Sequence, residues 1–163
     1  MRRGQLWEVR LRKAGPPAKQ VIVTAFDPLK GRGSELTRFD LNPSTSFWAA
    51  DLSPDGARVA AITNPAGPIL LLSLRGLPHQ ELRVKGWSDL RSVDWASDGE
   101  GLFISNSVQG GAVLLHADLK GNVHVLWKTQ GGSRIPVRSS PDGHHLAIQG
   151  WTVEGNLWMM KNF

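Results

Sequence analysis

The chain has 163 residues, 40% of them hydrophobic, a formal net charge of +5 and no cysteine. This suits one ordinary domain and excludes disulfides, thiolate nucleophiles and cysteine-ligated zinc. The basic residues are scattered, which favours a solvated surface over a nucleic-acid site. No apolar run approaches the roughly 18 residues of a membrane span, and the N-terminal residues lack the apolar stretch of a signal peptide. Taken alone, the sequence indicates a soluble chain.

Residues 1–46 are predicted to form an irregular or partial structural unit. The segments "GQLWEVRL", "KQVIVTAFD" and "ELTRFDL" are predicted strands, and "PLKGRG" is the loop between the last two. A glycine-rich backbone beside basic side chains can bind anions, but this loop does not match the P-loop pattern. We interpret it as a hairpin loop and keep Lys30 and Arg32 as candidate contacts for a ligand or partner.

Three repeats follow, which we place at residues 47–87, 88–131 and 132–163. Their Asp-Gly turns are 43 and 44 residues apart, and the glycines at 67, 111 and 155 before the third apolar run share a spacing of 44. Proline presets φ in such a turn, glycine takes positive φ, and aspartate bonds the backbone beyond it. The predicted turn residues are Pro54, Asp55, Gly56, Asp98, Gly99, Pro141, Asp142 and Gly143.

A period of 40–45 residues with several short strands is typical of propeller blades. We therefore predict an all-β fold, a β-propeller segment of about 3–4 four-stranded antiparallel blades that forms an incomplete ring. The last repeat stops before its outer strand. Ala60, Ala61 and Ala147 are small enough to allow close packing between blades. Open blade edges would favour self-association.

No catalytic pattern emerges from the sequence. The five histidines, His79, His116, His124, His144 and His145, lack metal-ligand spacing. Gly-Xaa-Ser-Xaa-Gly and the protein-kinase motifs are absent, and no paired carboxylates are evident because the recurring aspartates belong to turns. We expect neither enzymatic activity nor a cofactor. The tryptophans are expected to pack between blades, except Trp87 in "KGWSD", which is a candidate partner contact.

Several segments resemble known propeller repeats. "LSPDGARVAAI", "SSPDGHHLAI" and "GNLWMM" are similar to TolB-like, WD40-like (PD40) repeats. "FDPLKGRGSELTRFDL", "SVDWASDGEGLFIS" and "GWTVEGNLWMMKNF" resemble the C-terminal propeller of acidobacterial-type serine/threonine protein kinases.

This resemblance implies a non-catalytic interaction or sensory module in a larger bacterial signalling protein. It would bind a protein, a peptide or a small ligand at the mouth of the ring. A membrane-anchored parent would place the module outside the cytoplasm. Two alternatives stay open: the gating propeller of a prolyl-oligopeptidase-like peptidase, and a propeller attached to a winged-helix transcriptional regulator.

Overall fold

The computed structural model describes residues 6–13, 19–27, 29–41 and 49–150, and these residues form 13 strands and no helix. The strands assemble into four antiparallel sheets, each built from consecutive strands. The first sheet contains β1 Leu6–Lys13, β2 Lys19–Asp27 and β3 Gly31–Leu41. The β2–β3 loop is shorter than the sequence suggested, because β3 already begins at Gly31, whose φ is +83°.

The second and third sheets are complete four-stranded units with the same strand order. The second contains β4 Ala49–Leu52, β5 Arg58–Ile62, β6 Ile69–Ser73 and β7 Gln80–Leu82. The third contains β8 Leu90–Trp95, β9 Gly101–Val108, β10 Gly111–Asp118 and β11 Val123–Gln130. Each central strand has an antiparallel neighbour on both sides, so its backbone N–H and C=O groups form hydrogen bonds with those neighbours.

The last sheet contains two described strands, β12 Val137–Ser139 and β13 Leu146–Ile148. The predicted third strand of this repeat, "GNLWMM", lies outside the described residues. His144 and His145 precede β13 and lie in the turn that leads into it. The described sheets follow one another without closing a ring.

Apolar side chains hold each sheet against the next. Ala60 and Ala61 are fully buried on opposite faces of β5, one toward the third sheet and the other toward the first. Because β5 is covered on both faces, its sequence "RVAAI" shows no polar–apolar alternation. A third cluster joins Ala112 and Leu114 of β10 to Ile135 and to Val137 of β12. Ala147, expected to pack between blades, is exposed.

The architecture is that of a β-propeller segment. The sheets share one topology, β4, β8 and β12 each lead their sheet in the chain, and β8 contacts both β4 and β12. We call these three the inner strands. Side chains that point from them toward one another form the site described next.

Candidate functional site

The three Asp-Gly turns lie at the ends of the inner strands and share one hydrogen-bonding pattern. Gly56, Gly99 and Gly143 have φ of +65°, +72° and +74°. Their backbone N–H groups donate to the carbonyl three residues earlier, over 2.8, 2.9 and 3.0 Å. An L side chain rarely adopts this conformation, which explains glycine at each position.

The turn aspartates accept a hydrogen bond from the backbone N–H two residues further on. The donors to Asp55, Asp98 and Asp142 are Ala57, Glu100 and His144, at 3.0, 2.9 and 3.0 Å. Hydroxyl groups of Ser53 and Ser140 also donate to the first and last of these carboxylates.

These hydrogen bonds favour the ionised carboxylates and lower the pKa of both Asp55 and Asp142, with the serine hydroxyl as the main cause in each case. In the middle turn Ala96 replaces the serine, so its aspartate lacks this hydroxyl donor. All eight predicted turn residues lie in these three turns.

The three candidate contact residues lie away from these turns. Lys30 is exposed in the β2–β3 loop, where its backbone N–H donates to Asp27 Oδ1 at 3.2 Å. Arg32 is on β3 opposite Phe26, and its side chain lies outside the described part. Trp87 lies between β7 and β8, half-buried against the core shared by the second and third sheets. Its ring is thus only partly available to a partner.

A cleft of about 380 Å³ opens where the inner strands meet their turns. We call it the inner-strand cleft. Residues from three consecutive sheets line it: Asp51, Leu52, Pro54, Asp94, Trp95, Ser97, Arg138, Ser139, Ser140 and Pro141. Concave sites with a few convergent polar groups are where small ligands and side chains usually bind.

An ion-pair network forms the base of this cleft. Arg138 Nη1 lies 2.8 Å from Asp51 Oδ1 and 2.8 Å from Asp94 Oδ2. The side chains of the two aspartates are 11% and 5% exposed, whereas that of Arg138 is 69% exposed. The two carboxylates are therefore largely buried, and the Arg138 guanidinium contacts them from the solvent side.

Each carboxylate also binds the backbone of the following sheet. Asp51 Oδ2 accepts the Trp95 backbone N–H at 2.8 Å, and Asp94 Oδ1 accepts that of Ser139 at 3.4 Å. The Trp95 indole Nε1–H donates to the Asp51 carbonyl at 3.2 Å. These contacts join three sheets through equivalent positions of the repeat.

Burial of Asp94 and repulsion from Asp51 raise the pKa of the Asp94 carboxyl to about 6, even though Arg138 and the Ser139 N–H oppose the shift. Burial alone would lower the pKa of Arg138, but the hydrogen bond that it donates to Asp51 and the charges of both aspartates raise it. One guanidinium therefore does not fully compensate two buried carboxylates.

The expectation that the chain has no paired carboxylates was wrong. Asp51, Asp94 and Arg138 each lie four residues before a turn aspartate. The repeat thus contained a signal for this network in the position four residues before each turn aspartate. Among the described residues no group of three or more acidic or histidine side chains could hold a metal. The pair contacts a guanidinium, so the arrangement is suited to holding a cationic group.

The described part of the chain contains no helix that could span a membrane. No family model matches the chain, and no curated protein matches it in sequence. Solved structures match its fold. A chain of the nidogen–laminin complex is 15% identical with a TM-score of 0.61, covering 90% of this chain and 54% of that one.

Two bacterial proteins are also similar in structure. TolB from Acinetobacter baumannii is 18% identical with a TM-score of 0.58, covering 85% of this chain and 36% of its own. A candidate 6-phosphogluconolactonase from Bacteroides uniformis is 16% identical with a TM-score of 0.50, covering 85% and 48%. The chain spans about half or less of each of these structures. At such identities the likeness extends to the fold alone, and that fold is a β-propeller segment.

Proposed function

We propose that this chain is a non-catalytic interaction module that binds a protein or peptide at the inner-strand cleft. The observation that carries the proposal is the convergence of Asp51, Asp94 and Arg138, from three successive sheets, in one open cleft. Arg138 is mostly exposed, so a partner can reach the network. A structurally similar propeller comes from a complex of nidogen with laminin, which agrees with protein binding as a use of this fold.

The parent protein belongs to the same proposal. The segments quoted above support a larger bacterial signalling protein with a serine/threonine kinase domain, in which this chain is the C-terminal sensory part. A gating propeller of a prolyl-oligopeptidase-like peptidase and a propeller of a winged-helix regulator are the alternatives. The domain encoded beside this segment distinguishes the three: a kinase, a hydrolase with Gly-Xaa-Ser-Xaa-Gly, or a winged helix.

A second interaction of the same module is self-association through strand β11. This edge strand exposes Val125, Leu126 and Trp127 by 47%, 48% and 41%. An edge strand with exposed apolar side chains readily pairs with another chain. We propose that it forms contacts between copies when no partner covers it.

Selection of peptides from a random phage-displayed library on the immobilised chain tests the binding proposal. Enriched peptides should bind the wild-type chain and lose binding to Ser97→Trp, in which an indole fills the cleft. Asp118→Asn, at the exposed β10–β11 turn, is the matched control and should bind normally. Failure to enrich any peptide, or equal binding to the cleft variant, contradicts the proposal.

The non-catalytic part of the proposal has a separate test. The purified chain should neither transfer phosphate from Mg-ATP to a protein substrate nor hydrolyse 6-phosphogluconolactone or a prolyl peptide above the buffer rate. Activity that co-purifies with the chain and disappears in a variant of the cleft would overturn it.

A further inference from the structure

The inner-strand cleft carries a charge opposite to that of the whole chain. Two carboxylates and one guanidinium give its base a formal charge of −1, in a protein of +5. The carboxylates are largely shielded from water, so their field is stronger than that of surface acids. The cleft therefore attracts cationic groups although the whole chain has a net positive charge.

Asp94 leaves part of its bonding capacity unused. Its side chain is 5% exposed, and its Oδ2 is buried without a directed hydrogen bond. The contact of that oxygen is the ion pair of 2.8 Å with Arg138 Nη1. An ionised carboxylate offers about four acceptor positions, so a donor with better geometry would be bound in preference.

Arg138 is the replaceable member of the network. It comes from β12, in the last described sheet, and a single nitrogen contacts both carboxylates. A planar guanidinium can present several N–H groups in parallel, which this arrangement does not use. Because the Arg138 side chain is 69% exposed, it can turn outward without disturbing the core.

The walls of the cleft suit a long basic side chain. Leu52, Pro54 and Pro141 supply apolar surface above the acidic base. Arginine and lysine pack their methylene stems on apolar surface while the charged end reaches polar groups. The volume of about 380 Å³ is enough for such a side chain and part of its backbone.

We propose that the inner-strand cleft binds a basic side chain of a peptide, arginine above all, and that the guanidinium of the ligand replaces Arg138 between Asp51 and Asp94. This inference rests on the proposed function and specifies the chemistry of its ligand. Arg138 then acts as an internal stand-in, which partly neutralises the acidic base until the partner arrives.

Nuclear magnetic resonance on the ¹⁵N-labelled chain tests this inference, because the Trp95 indole N–H lies at the cleft and donates to Asp51. The probe is acetyl-Gly-Gly-Arg-Gly-Gly-amide. The citrulline peptide is its neutral isostere, and the glutamate peptide is the anionic control. The arginine peptide should shift the Trp95 indole signal saturably and bind about tenfold more tightly than the citrulline peptide.

Variants of the cleft residues test whether the ligand's guanidinium replaces Arg138 or is only attracted by the acidic base. Arg138→Gln should raise the affinity for the arginine peptide several-fold, because the internal competitor is gone. Asp94→Asn should lower it about tenfold, the loss expected for one charge-assisted contact, and Asp118→Asn should leave it unchanged. If Arg138→Gln does not fold by circular dichroism, Arg138→Met replaces it and should also bind more tightly, since it fills a similar space without a competing charge.

Other outcomes of these experiments would contradict the inference. Weaker binding by the Arg138 variants, equal binding of the citrulline peptide, or preferred binding of the glutamate peptide overturns the inference. If library peptides bind at the cleft but the arginine peptide leaves the Trp95 signal unmoved, this inference fails and the proposed function stands. If no peptide binds in either experiment, both fail.

Discussion

The second and third sheets have the same topology but differ at their outer strands. In the second sheet β7 has three residues, and its Leu82 is buried. In the third sheet β11 has eight residues, most of them exposed. The second sheet lies between two sheets, each with three or more strands, whereas the last sheet, next to the third, has two described strands. Among the described residues, the apolar residue of β7 is therefore covered, whereas β11 exposes Val125, Leu126 and Trp127.

Cross-strand pairing shows where this protection ends. Leu114 on β10 lies opposite Trp127 on β11, so both side chains share one face of the sheet. Leu114 is fully buried against Ile135 and Val137, but Trp127 is 41% exposed. A bulge between Leu114 and Leu115 leaves Leu126 without an opposing residue. Leu114 and Trp127 thus share one face of the sheet, but the last sheet covers that face at Leu114 and leaves Trp127 partly exposed.

The largest expected effect on stability is a difference between the buried strand β10 and the exposed strand β11. Leu114→Ala removes a fully buried side chain and should cost about 2–5 kcal/mol of unfolding free energy through lost burial and a residual cavity. Leu126→Ala, on the exposed strand, should change it by less than about 0.5 kcal/mol. Urea denaturation measures both. Similar losses for the two variants would mean that β11 is covered in solution.

Asp94, on the inner strand of the third sheet, should make stability depend on pH. The native pKa of Asp94 is about 6 and its ordinary value is 3.8, so between those values the native state binds more protons than the unfolded state. Stability from this group therefore falls as pH rises from about 4 to 6. The free energy of unfolding of Asp94→Asn minus that of the wild type should rise by up to about 3 kcal/mol over this interval and then stay constant.

Urea denaturation at several pH values between 4 and 7 measures this difference. Asp142→Asn is the control, since the pKa of Asp142 is lowered. The stabilisation from a lowered pKa is lost only as pH falls below the ordinary value of 3.8, outside this interval, so the curves of the wild type and Asp142→Asn should stay parallel between pH 4 and 7. Parallel curves for wild type and Asp94→Asn would show that Asp94 is not strained by burial.

The pairing of strand β11 with strand β10 depends on a glycine at the start of β10. A Cβ atom at Gly111 would lie 2.0 Å from the backbone oxygen of Thr129 on β11, whereas one at Gly110 would meet nothing within 4 Å. Gly111→Ala should cost about 1–3 kcal/mol, as overpacking does, and speed amide exchange along β11. Gly110→Ala should cost about 1 kcal/mol from its positive φ alone. Equal amide exchange in both variants would contradict this account.

The smallest expected effect on stability accompanies a change in the self-association of the chain. Trp127→Lys places a charge on the exposed edge strand and should shift the molar mass by light scattering toward the monomer, with stability unchanged within about 0.5 kcal/mol. Leu77→Lys, at a more exposed apolar site in a loop, is the control and should leave association unchanged. A wild-type chain that is monomeric at every concentration contradicts self-association through β11.

Local interactions made much of the fold predictable. The Asp-Gly turns depend on residues within five positions of one another, as do the φ of glycine and the hydrogen bonds to the turn aspartates. The short apolar strands between them follow from the same period. The repeat and the all-β propeller class could therefore be inferred from the chain alone. Nothing local distinguished buried Trp95 from exposed Trp127, because the neighbouring sheet decides which is covered.

The candidate site was decided by tertiary structure. Asp51 and Arg138 are 87 residues apart and meet through Asp94 only because three sheets stack with their inner strands in contact. Their equal distance from the turns was visible in the sequence, but burial was not, and burial is what turns two ordinary aspartates into a strained pair. The sequence by itself determined the repeat and its turns through short-range geometry. Stacking of the sheets determined the charge of the cleft, because desolvation depends on what surrounds a side chain.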